Sequence, residues 1–374
     1  MKVAGERVLA DDAAVSPVDR AEGYRHLSRL AVYALQWHVD FHDPDYPAFH
    51  RYDDDVVKWG GPNADNHYLR AKIDPRGSYR VRFDPRGLRE VIISTPEGEM
   101  QFDQYRVFEE RQLSDLAVAA DGTVEVVLSA ERMGGNWIPL HPEADHVLVR
   151  LYVSDWAADA APPVDIERIG NEGHAPGRLE PGVLAMQLDR AATWVERTIG
   201  YWPAFMGKRR QAVDANTLSP PRAVPGGAAD ILYGAGFWQL AAGEGLLVEC
   251  EVPQARYWSF QLYSIPWFES LDIAHRSTSL NGSQAVIDAD GMMRIVVAAE
   301  DPGLANWLDT EGRPQGMVSY RWVWAETAPV PRARVVRLDA LADAVPPGSA
   351  RIDPRQRRAQ LSARRAALVR RFRR

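Results

Sequence analysis

Apolar positions along the chain recur with two different periods. Helical spacing is clearest in residues 21–41 and 184–199, and the stretch from residue 354 onward, free of Gly and Pro, favours helix by propensity. Elsewhere apolar residues alternate with polar ones or form short β-branched runs, as in residues 78–83 and 88–94. The pattern predicts a mainly β chain with an N-terminal, a central and a C-terminal helix.

Turn signals separate the predicted strands. Asp-Pro-Arg-Gly occurs at residues 74–77 and again at 84–87, and in each copy Pro fixes φ while Gly follows the bend. Further strands are predicted at residues 123–128, 146–153, 245–252, 256–263, 284–288, 293–298 and 317–324. Gly-x-Trp precedes a strand at residues 135–137 and at 236–238, which suggests that the two β regions arose by duplication, although a chance repeat would look the same.

These elements divide the chain into five segments, in keeping with the two domains that 374 residues favour. They are an N-terminal arm and helix (1–55), a first β-module (56–160), a linker with a connector helix (161–228), a second β-module (229–345) and a basic C-terminal helix (346–374). We expect residues 1–20 to form a loose arm, and residues 157–181, rich in Ala, Pro and Gly, to be linker.

The formal net charge of −7 conceals a strong asymmetry. Residues 351–374 contain ten Arg against one acid, a charge of +9, so the remainder carries −7 − 9, or −16. An acidic body with a basic tail favours docking of the tail helix on the body or on a second subunit of a homo-oligomer. Nucleic-acid binding is the weaker interpretation, because the rest of the chain is acidic.

Several classes of protein can be set aside. A single cysteine, Cys250, excludes an internal disulfide, fits a reducing compartment and lies in a strand-like run typical of a buried, inert thiol. The N-terminus lacks a signal-peptide pattern and no apolar window of about 18 residues predicts a membrane span, so we expect a cytoplasmic protein with no membrane partner. Phosphate-binding loops, dinucleotide-binding glycine turns and nucleophile elbows are missing from the sequence.

Residues 257–309 concentrate aromatic rings and acids, and they are the candidate site. A strand period of two places Tyr257, Ser259, Gln261 and Tyr263 on one face, with Trp258, Phe260 and Leu262 on the other. The second set is predicted core. The first set would suit a cavity wall, or equally a solvent-facing or inter-sheet polar face.

Acidic and basic side chains follow this strand at a spacing of three. Glu269, Asp272 and His275 would line one edge if the stretch turns helically, with Arg276 beside them. Two acids near an imidazole and a guanidinium can have their pKa values pushed apart, as general acid/base catalysis requires. We predict as catalytic residues Glu269, Asp272, His275 and Asp309; the alternative is a surface ion-pair cluster.

Aromatic and amide side chains supply the predicted substrate contacts. Trp307 and Asp309 follow a turn signal and would offer an apolar plate beside a hydrogen-bond acceptor, unless Trp307 is core and Asp309 caps the next turn. Asn beside aromatic rings recognises hydroxyl and amide groups, but Asn also marks turns. The predicted substrate-binding residues are Asn66, Tyr68, Asn136, Trp137, Tyr257, Trp258, Tyr263, Trp267, Arg276, Asn281 and Trp307.

A metal site is a minority interpretation. His38 and His42 are four residues apart at the end of a predicted helix and could share Zn²⁺ with a third ligand. The Glu that the metalloprotease pattern places directly after the first His is not there. We therefore predict neither a metal nor another cofactor.

The second β region resembles a bacterial family. The matching stretches are Tyr-Trp-x-Phe-Gln-Leu at 257–262, Glu-Ser-Leu-Asp at 269–272, Thr-Ser-Leu-Asn-Gly at 278–282, Asp-x-Asp-Gly at 288–291, Asp-Pro-Gly-x-x-Asn-Trp-Leu-Asp-Thr at 301–310 and Gly-x-x-x-x-Arg-Trp at 316–322. The family is catalogued as domain of unknown function 1214, and residues 43–47 and 63–69 resemble the N-terminal segment that often accompanies it. The resemblance implies two jelly-roll-like β-sandwiches decorated with helices. It implies no reaction.

The leading functional hypothesis is a cofactor-independent acid/base enzyme of the hydrolase or lyase type. Its substrate would be a small hydroxylated, sugar-like or terpenoid-like molecule that passes through a cation-like transition state, shielded by indole rings. The competing hypothesis is a non-catalytic module that binds a small molecule or carbohydrate within a homo-oligomer. Convergence of Glu269, Asp272 and Asp309 on one enclosed pocket would favour the enzyme.

Overall fold

The computed structural model describes residues 2–9, 16–158, 161–224 and 230–372, and it is mainly β. The chain forms two compact units. The first module comprises Met1–Lys58, Asp65–Val153 and Ala158–Trp202, and the second comprises Trp59–Ala64, Ser154–Ala157 and Pro203–Arg374. The predicted fold class, a mainly β chain of two sandwich modules with N-terminal, central and C-terminal helices, is confirmed.

The described residues of the first module form nine strands in two sheets. They are β1 His50–Asp53, β2 Asn66–Lys72, β3 Tyr79–Phe83, β4 Glu90–Glu99, β5 Gln104–Gln112, β6 Val124–Ser129, β7 Asn136–Pro139, β8 His146–Tyr152 and β9 Val164–Arg168. One sheet has the order β1-β2-β8-β4-β5 and the other β7-β6-β3-β9. Apolar residues of both sheets form one buried cluster, so the sheets pack face to face.

In the part of the second module that the structure describes there are eight strands, again in two sheets. They are β10 Ile231–Gln239, β11 Glu244–Glu251, β12 Ala255–Tyr263, β13 Ser279–Asn281, β14 Met292–Ala298, β15 Trp307–Asp309, β16 Gln315–Ala325 and β17 Arg332–Arg337. The sheet orders are β10-β16-β12-β13 and β15-β14-β11-β17. Their inner faces share a core that includes Cys250, and burial raises the pKa of this thiol to about 12, as expected for an inert cysteine.

The two modules repeat one strand topology. Adding eight to each strand number of the first module, β1 excepted, reproduces the sheet orders of the second. The parallel pair β6–β7 recurs as β14–β15. The Gly-x-Trp motif that suggested this duplication nevertheless lies on strands that are not equivalent. Trp137 is on β7, whereas Trp238 is on β10, the counterpart of β2.

The helices are α1 Lys2–Leu9, α2 Pro17–Leu35, α3 Pro181–Gln211, α4 Leu341–Ala344 and α5 Pro354–Phe372. One π-helical turn, Gln36–Asp40, continues α2, and short 3-10 turns lie at Met100–Phe102, Leu113–Asp115 and Leu338–Ala340. Helix α2 begins at Pro17, four residues before the predicted start at residue 21, because Ser16 Oγ accepts a hydrogen bond from the Asp19 amide at 3.1 Å and Pro17 needs no amide partner.

Three local predictions are wrong. Residues 2–9 form helix α1 rather than a loose arm, while residues 10–15 lie outside the described residues. The expected linker at 157–181 contains β9, which pairs with β3. Residues 284–288 form a loop rather than a strand. Both strand errors concern short segments whose state is decided by a distant partner strand rather than by local composition.

Candidate functional site

The two faces of β12 divide as the strand period predicts. Trp258, Phe260 and Leu262 point into the core between the sheets of the second module. Tyr257, Ser259, Gln261 and Tyr263 occupy the opposite face and are all buried. Strand pairing places Arg321 and Ser319 of β16 on that same face, opposite Ser259 and Gln261. We call these six residues the polar face.

Residues Trp59–Ala64, which we call the strap, lie on the polar face. Tyr257 Oη donates to Asn63 Oδ1 at 3.0 Å, and Tyr263 Oη donates to the Pro62 carbonyl at 3.0 Å. Arg321 Nη2 donates to the Gly61 carbonyl at 3.0 Å and to Tyr263 Oη at 2.7 Å. Position 61 requires glycine, because its φ is +72° and a Cβ there would lie 2.2 Å from the Phe268 ring.

The predicted catalytic residues form a turn rather than a helix. Asp272 accepts hydrogen bonds from the amides of Ala274 (2.9 Å) and His275 (3.0 Å), and its carboxylate lies 3.0 Å from His275 Nδ1. Burial alone would raise the pKa of Asp272, but these backbone hydrogen bonds hold it below its ordinary value. His275 is half exposed, so this pair is arranged as a turn cap at the surface.

Asp309 has a similar structural setting. Its carboxylate pairs with Arg276 Nη1 at 2.9 Å and accepts the Glu311 amide at 2.8 Å. Glu311 in turn accepts the amide of Asp272. Glu269 is buried, with its carbonyl accepting the Ser264 amide at 2.8 Å. Asp272, His275, Arg276 and Asp309 are thus brought together in one ion-pair network, in which His275 and Arg276 are exposed and Asp309 is buried.

Asn306 and Trp307, from the longest family motif, hold the edge strand β15 in place. Asn306 accepts the Val286 amide at 2.9 Å and donates to the carbonyls of Val286 (2.6 Å) and Arg294 (3.0 Å). Trp307 Nε1 donates to the Ala298 carbonyl at 3.0 Å. All these partners are backbone groups, so the contacts fix the strand without a ligand.

Asn136 and Trp137 repeat this arrangement on β7 of the first module. Asn136 accepts the Ala117 amide at 2.7 Å and donates to the carbonyls of Ala117 and Glu125, both at 2.9 Å. Trp137 Nε1 donates to Ser129 Oγ at 3.0 Å. The Asn-Trp pair, rather than Gly-x-Trp, therefore marks equivalent strands of the two modules, β7 and β15.

The remaining predicted residues are distributed over both modules. Asn66 is buried on β2, where Tyr68 packs against Tyr52 with ring centroids 5.2 Å apart. In the second module Trp267 is fully buried, and Asn281 Nδ2 donates to the Ser154 carbonyl at 2.9 Å.

A second group of polar residues, missed in the sequence, lies in the first module around Trp37. This residue sits in the π-helical turn, a distortion often found at functional sites. The guanidinium carbon of Arg70 lies 3.8 Å from the centre of its ring, and Lys72 Nζ lies 4.2 Å from it. The His146 ring meets Trp37 edge-on at 6.0 Å. We call Trp37, His38, Arg70, Lys72, Glu99 and His146 the charged cluster.

Glu99 is the anion of the charged cluster. Its carboxylate lies 3.3 Å from Arg70 Nη1 and accepts hydrogen bonds from Trp194 Nε1 (2.7 Å) and Gln101 Nε2 (2.8 Å). Burial alone would raise its pKa, but the charge of Arg70 and the bond from Trp194 hold the pKa below its ordinary value. Glu99 is therefore an ionised anchor for Arg70 rather than a proton acceptor.

The two imidazoles of the cluster are neutral near pH 7. Burial, and then the charge of Lys72, lowers the pKa of His38 from 6.5 to about 4. Burial also lowers the pKa of His146, although Asp145 opposes this with a 2.5 Å contact between Oδ1 and Nδ1. Burial lowers the pKa of Lys72 as well, against the charge of Asp145. A neutral imidazole therefore stands beside a destabilised ammonium group.

Part of the charged cluster is exposed, and polar atoms in it and beside it have unused hydrogen-bonding capacity. His38 and Lys72 are both half-buried, and 13% of the Glu99 side chain is exposed. Within the described part of the chain, His38 Nε2 and Gln101 Oε1 have no hydrogen-bond partner although both atoms are buried. A small polar molecule could satisfy such groups.

The low pKa of His38 predicts a loss of stability in acid. The pKa of His38 is lower in the folded protein than in the unfolded chain. Below pH 6.5 the unfolded chain therefore binds a proton at His38, whereas the folded protein binds it only near pH 4. Relative to His38→Gln, the wild-type unfolding free energy should fall by roughly 2 kcal/mol between pH about 6.5 and about 5. Urea titrations of both proteins across this range measure the difference; parallel curves would contradict it.

The histidine pair considered for a metal is divided between two settings. His42 Nδ1 lies 2.7 Å from the Val39 carbonyl, whereas His38 belongs to the charged cluster. No group of three or more His, Cys, Asp or Glu side chains within the described ranges is arranged to hold a metal ion. Among those same residues, no helix is long and apolar enough to cross a membrane.

Comparison with known structures gives a close structural relative. An uncharacterized protein from Burkholderia cenocepacia is 37% identical, with a TM-score of 0.84, over 91% of this chain and 95% of that chain. The VPA0106 protein from Vibrio parahaemolyticus is 12% identical over 83% of this chain and 97% of that chain, with a TM-score of 0.47. No curated protein matches the chain.

The family model for the protein of unknown function DUF1214 matches residues 95–155 and 245–326. The matched residues span β5 to β8 of the first module and β11 to β16 of the second, so they include both Asn-Trp pairs. The suggested N-terminal companion segment stays a prediction. With the repeated Asn-Trp pair inside the matched residues and a close structural relative over nearly its whole length, the chain belongs to the DUF1214 family.

Proposed function

We propose that this protein is an acid/base enzyme acting on a small hydroxylated molecule, with the charged cluster of the first module as its chemical centre. The observation that carries the proposal is the pairing of half-buried His38 and Lys72 beside the Arg70–Glu99 ion pair. This places a proton acceptor and a proton donor in one partly enclosed setting.

Each member of the cluster has a distinct role in this proposal. His38, neutral at pH 7, takes a proton from the substrate through its buried Nε2, which has no partner among the described residues. Lys72 stabilises the substrate oxygen on which negative charge develops. It can also donate a proton to the substrate, because burial lowers the pKa of its ammonium group. Trp37 and Glu99 position the two cations.

The second-module acids fit this chemistry less well. Asp272 and Asp309 are each held by backbone amides and by an exposed cationic or imidazole partner. Backbone hydrogen bonds hold the pKa of Asp272 below its ordinary value, and exposed ion pairs contribute little beyond local order. Glu269, Asp272, His275 and Asp309 remain the competing catalytic set.

Proton exchange in D₂O tests the proposal across several classes of substrate at once. The protein is incubated with hydroxy acids, ketoses, glycosides and terpenoid alcohols and ketones, and loss of carbon-bound proton signals is followed by NMR. We expect wild type to exchange at least one compound, and His38→Gln and Lys72→Met to slow that exchange roughly 10²–10⁴-fold.

Matched variants in the second module serve as controls. His275→Gln and Asp272→Asn should leave the exchange rate within a factor of two or so of wild type, because neither residue belongs to the cluster. Loss of exchange in these two variants, with His38→Gln and Lys72→Met unaffected, would indicate that the catalytic residues lie in the second module. No exchange of any compound by wild type would leave the non-catalytic binding module as the better hypothesis.

A further inference from the structure

Helix α3 brings a further cation to the charged cluster. Trp194 of this helix donates to Glu99 at 2.7 Å, so the helix is fixed against the cluster at that point. Arg190 lies four residues before Trp194, on the adjacent turn of the same face, and its side chain is exposed. The charge of Arg190 lowers the pKa of both His38 and Lys72. Arg190 is therefore close to both residues, at the exposed margin of the cluster.

The two outer cations, Arg190 and Lys72, have room for an anion in direct contact. Arg190 makes no hydrogen bond or salt bridge to any residue that the structure describes. Lys72 Nζ lies 4.2 Å from the centre of the Trp37 ring. The charge of Asp145 acts on Lys72, but this carboxylate is in contact with His146 Nδ1 at 2.5 Å. An anion that touched both cations would be held by charge-assisted hydrogen bonds.

Two buried amides beside these cations have unused polar atoms. Gln101 Nε2 donates to Glu99 at 2.8 Å, whereas Gln101 Oε1 has no partner among the described residues. Gln187, one turn before Arg190 on α3, is only 3% exposed, and its Nε2 has no partner in the same part of the chain. One acceptor and one donor are the complement of a hydroxyl group. Because buried polar atoms are costly when unsatisfied, a molecule that completes them is favoured.

We propose that the charged cluster takes a small hydroxy acid as its substrate. Arg190 and Lys72 bind the carboxylate of this molecule. Gln101 and Gln187 hydrogen-bond its hydroxyl group. The inference rests on the proposed function and narrows its substrate from hydroxylated molecules in general to anionic ones. Arg190 recognises the negative charge and takes no part in proton transfer, so it determines specificity.

This arrangement agrees with the roles already given to the cluster. When the carboxylate lies on Lys72, the ammonium group touches the oxygen on which negative charge develops as the neighbouring carbon loses its proton. His38 then faces that carbon-bound proton through its unpartnered Nε2, as judged within the described ranges. A neutral sugar or terpenoid offers no group for the two outer cations.

Calorimetric titration with matched ligand pairs tests the inference. Full-length protein is titrated with lactate and lactamide, and with mandelate and mandelamide, so that the members of each pair differ in negative charge. We expect at least one acid to bind, and its amide to bind at least tenfold more weakly. Arg190→Gln should weaken binding of the acid roughly tenfold and leave the amide unaffected, because one charged hydrogen-bond donor is lost.

Two substitutions of exposed arginines on α3 serve as controls. Arg190→Lys should recover part of the affinity for the acid, because the charge is kept. Arg197, seven residues further along the helix, is also exposed, and Arg197→Gln should leave the affinity unaltered. None of these changes should shift the melting temperature of the free protein by more than a degree or two, since the side chains are exposed.

Recognition of the hydroxyl group is tested separately with lactate and propionate. Gln187→Leu removes an amide whose Nε2 has no partner among the described residues, so the free protein should keep its melting temperature. Binding of lactate should weaken several-fold in this variant, whereas binding of propionate should not change.

The titrations need no turnover, so their outcome is distinct from that of the proton-exchange experiment. Equal binding of acid and amide, wild-type affinity for the acid in Arg190→Gln, wild-type affinity for lactate in Gln187→Leu, or no binding of either acid would overturn the inference. Proton exchange confined to neutral compounds would also overturn it and leave the enzyme proposal intact. Acid binding that depends on Arg190, without exchange of any compound, would contradict the enzyme proposal and support the assigned ligand class.

Discussion

Replacing Arg364 with alanine is expected to lower the free energy of unfolding by about 3–5 kcal/mol. The buried guanidinium donates to the Ile273 carbonyl at 2.7 Å, to the Ser279 carbonyl at 3.1 Å, and to Ser279 Oγ. Its central carbon also lies 4.3 Å from the Trp156 ring centre. Truncation leaves these buried oxygens without a donor and removes a cation–π contact, and urea denaturation followed by circular dichroism measures the loss.

The adjacent arginine provides the control. Arg365 is exposed on the outer side of α5, so Arg365→Ala should change the unfolding free energy by no more than about 0.5 kcal/mol. Arg364→Lys should recover only part of the loss, because an ammonium group cannot reproduce the planar set of donors. Similar stability for the variants at 364 and 365 would show that α5 is not anchored through this residue.

Replacing Asn306 with alanine should cost roughly 3 kcal/mol, since one buried amide makes three hydrogen bonds to backbone groups. These partners, the amide and carbonyl of Val286 and the carbonyl of Arg294, belong to the loop and strand that border β15. Asn136→Ala removes the same three contacts in the first module at a less buried position, and about 1–2 kcal/mol is expected.

Chemical denaturation of both asparagine variants checks this pair. Asn306→Asp separates hydrogen bonding from shape, because the carboxylate keeps the acceptor but loses the donor to the two carbonyls. We expect it to be at least as destabilising as alanine, since it buries a charge facing carbonyl oxygens. Wild-type stability in Asn306→Ala would mean that the repeated Asn-Trp pair has another purpose.

Patterns confined to a few consecutive residues predicted the fold well. The alternation in β12 correctly separated Trp258, Phe260 and Leu262 from the polar face. The Asp-Pro-Arg-Gly turns also form, with Asp74 Oδ1 accepting the Arg76 amide at 2.9 Å. These features succeed because their determinants, side-chain period and turn chemistry, are local.

The charged cluster could not be found by the same means. Its members come from the end of α2, from β2, β4 and β8, and the helix α3 contributes Trp194. No spacing in the sequence relates His38 to Lys72 or Glu99, because their proximity is created by strand pairing. One local signal existed: Tyr68, Arg70 and Lys72 alternate along β2, which gives an unusual polar side to a sheet strand.

The acidic neighbourhood in the second module illustrates the opposite error. Glu269, Asp272 and His275 are close in sequence, and this closeness suggested joint chemistry. The chain instead bends so that Asp272 caps the turn that carries His275. Sequence proximity of titratable groups is equally well explained by turn formation, for which Asp is a preferred residue.

Edge-strand anchoring by the Asn-Trp pair bears on how relatives of this protein should be classified. A residue such as Asn306, whose hydrogen bonds are all with main-chain atoms, stabilises the fold independently of any ligand that the sandwich binds. Two homologues can therefore share this signature and still differ in activity. Sorting them by biochemical role requires comparing positions 38, 72 and 259 instead, where a side chain is half-buried or has a buried polar atom with no partner among the described residues.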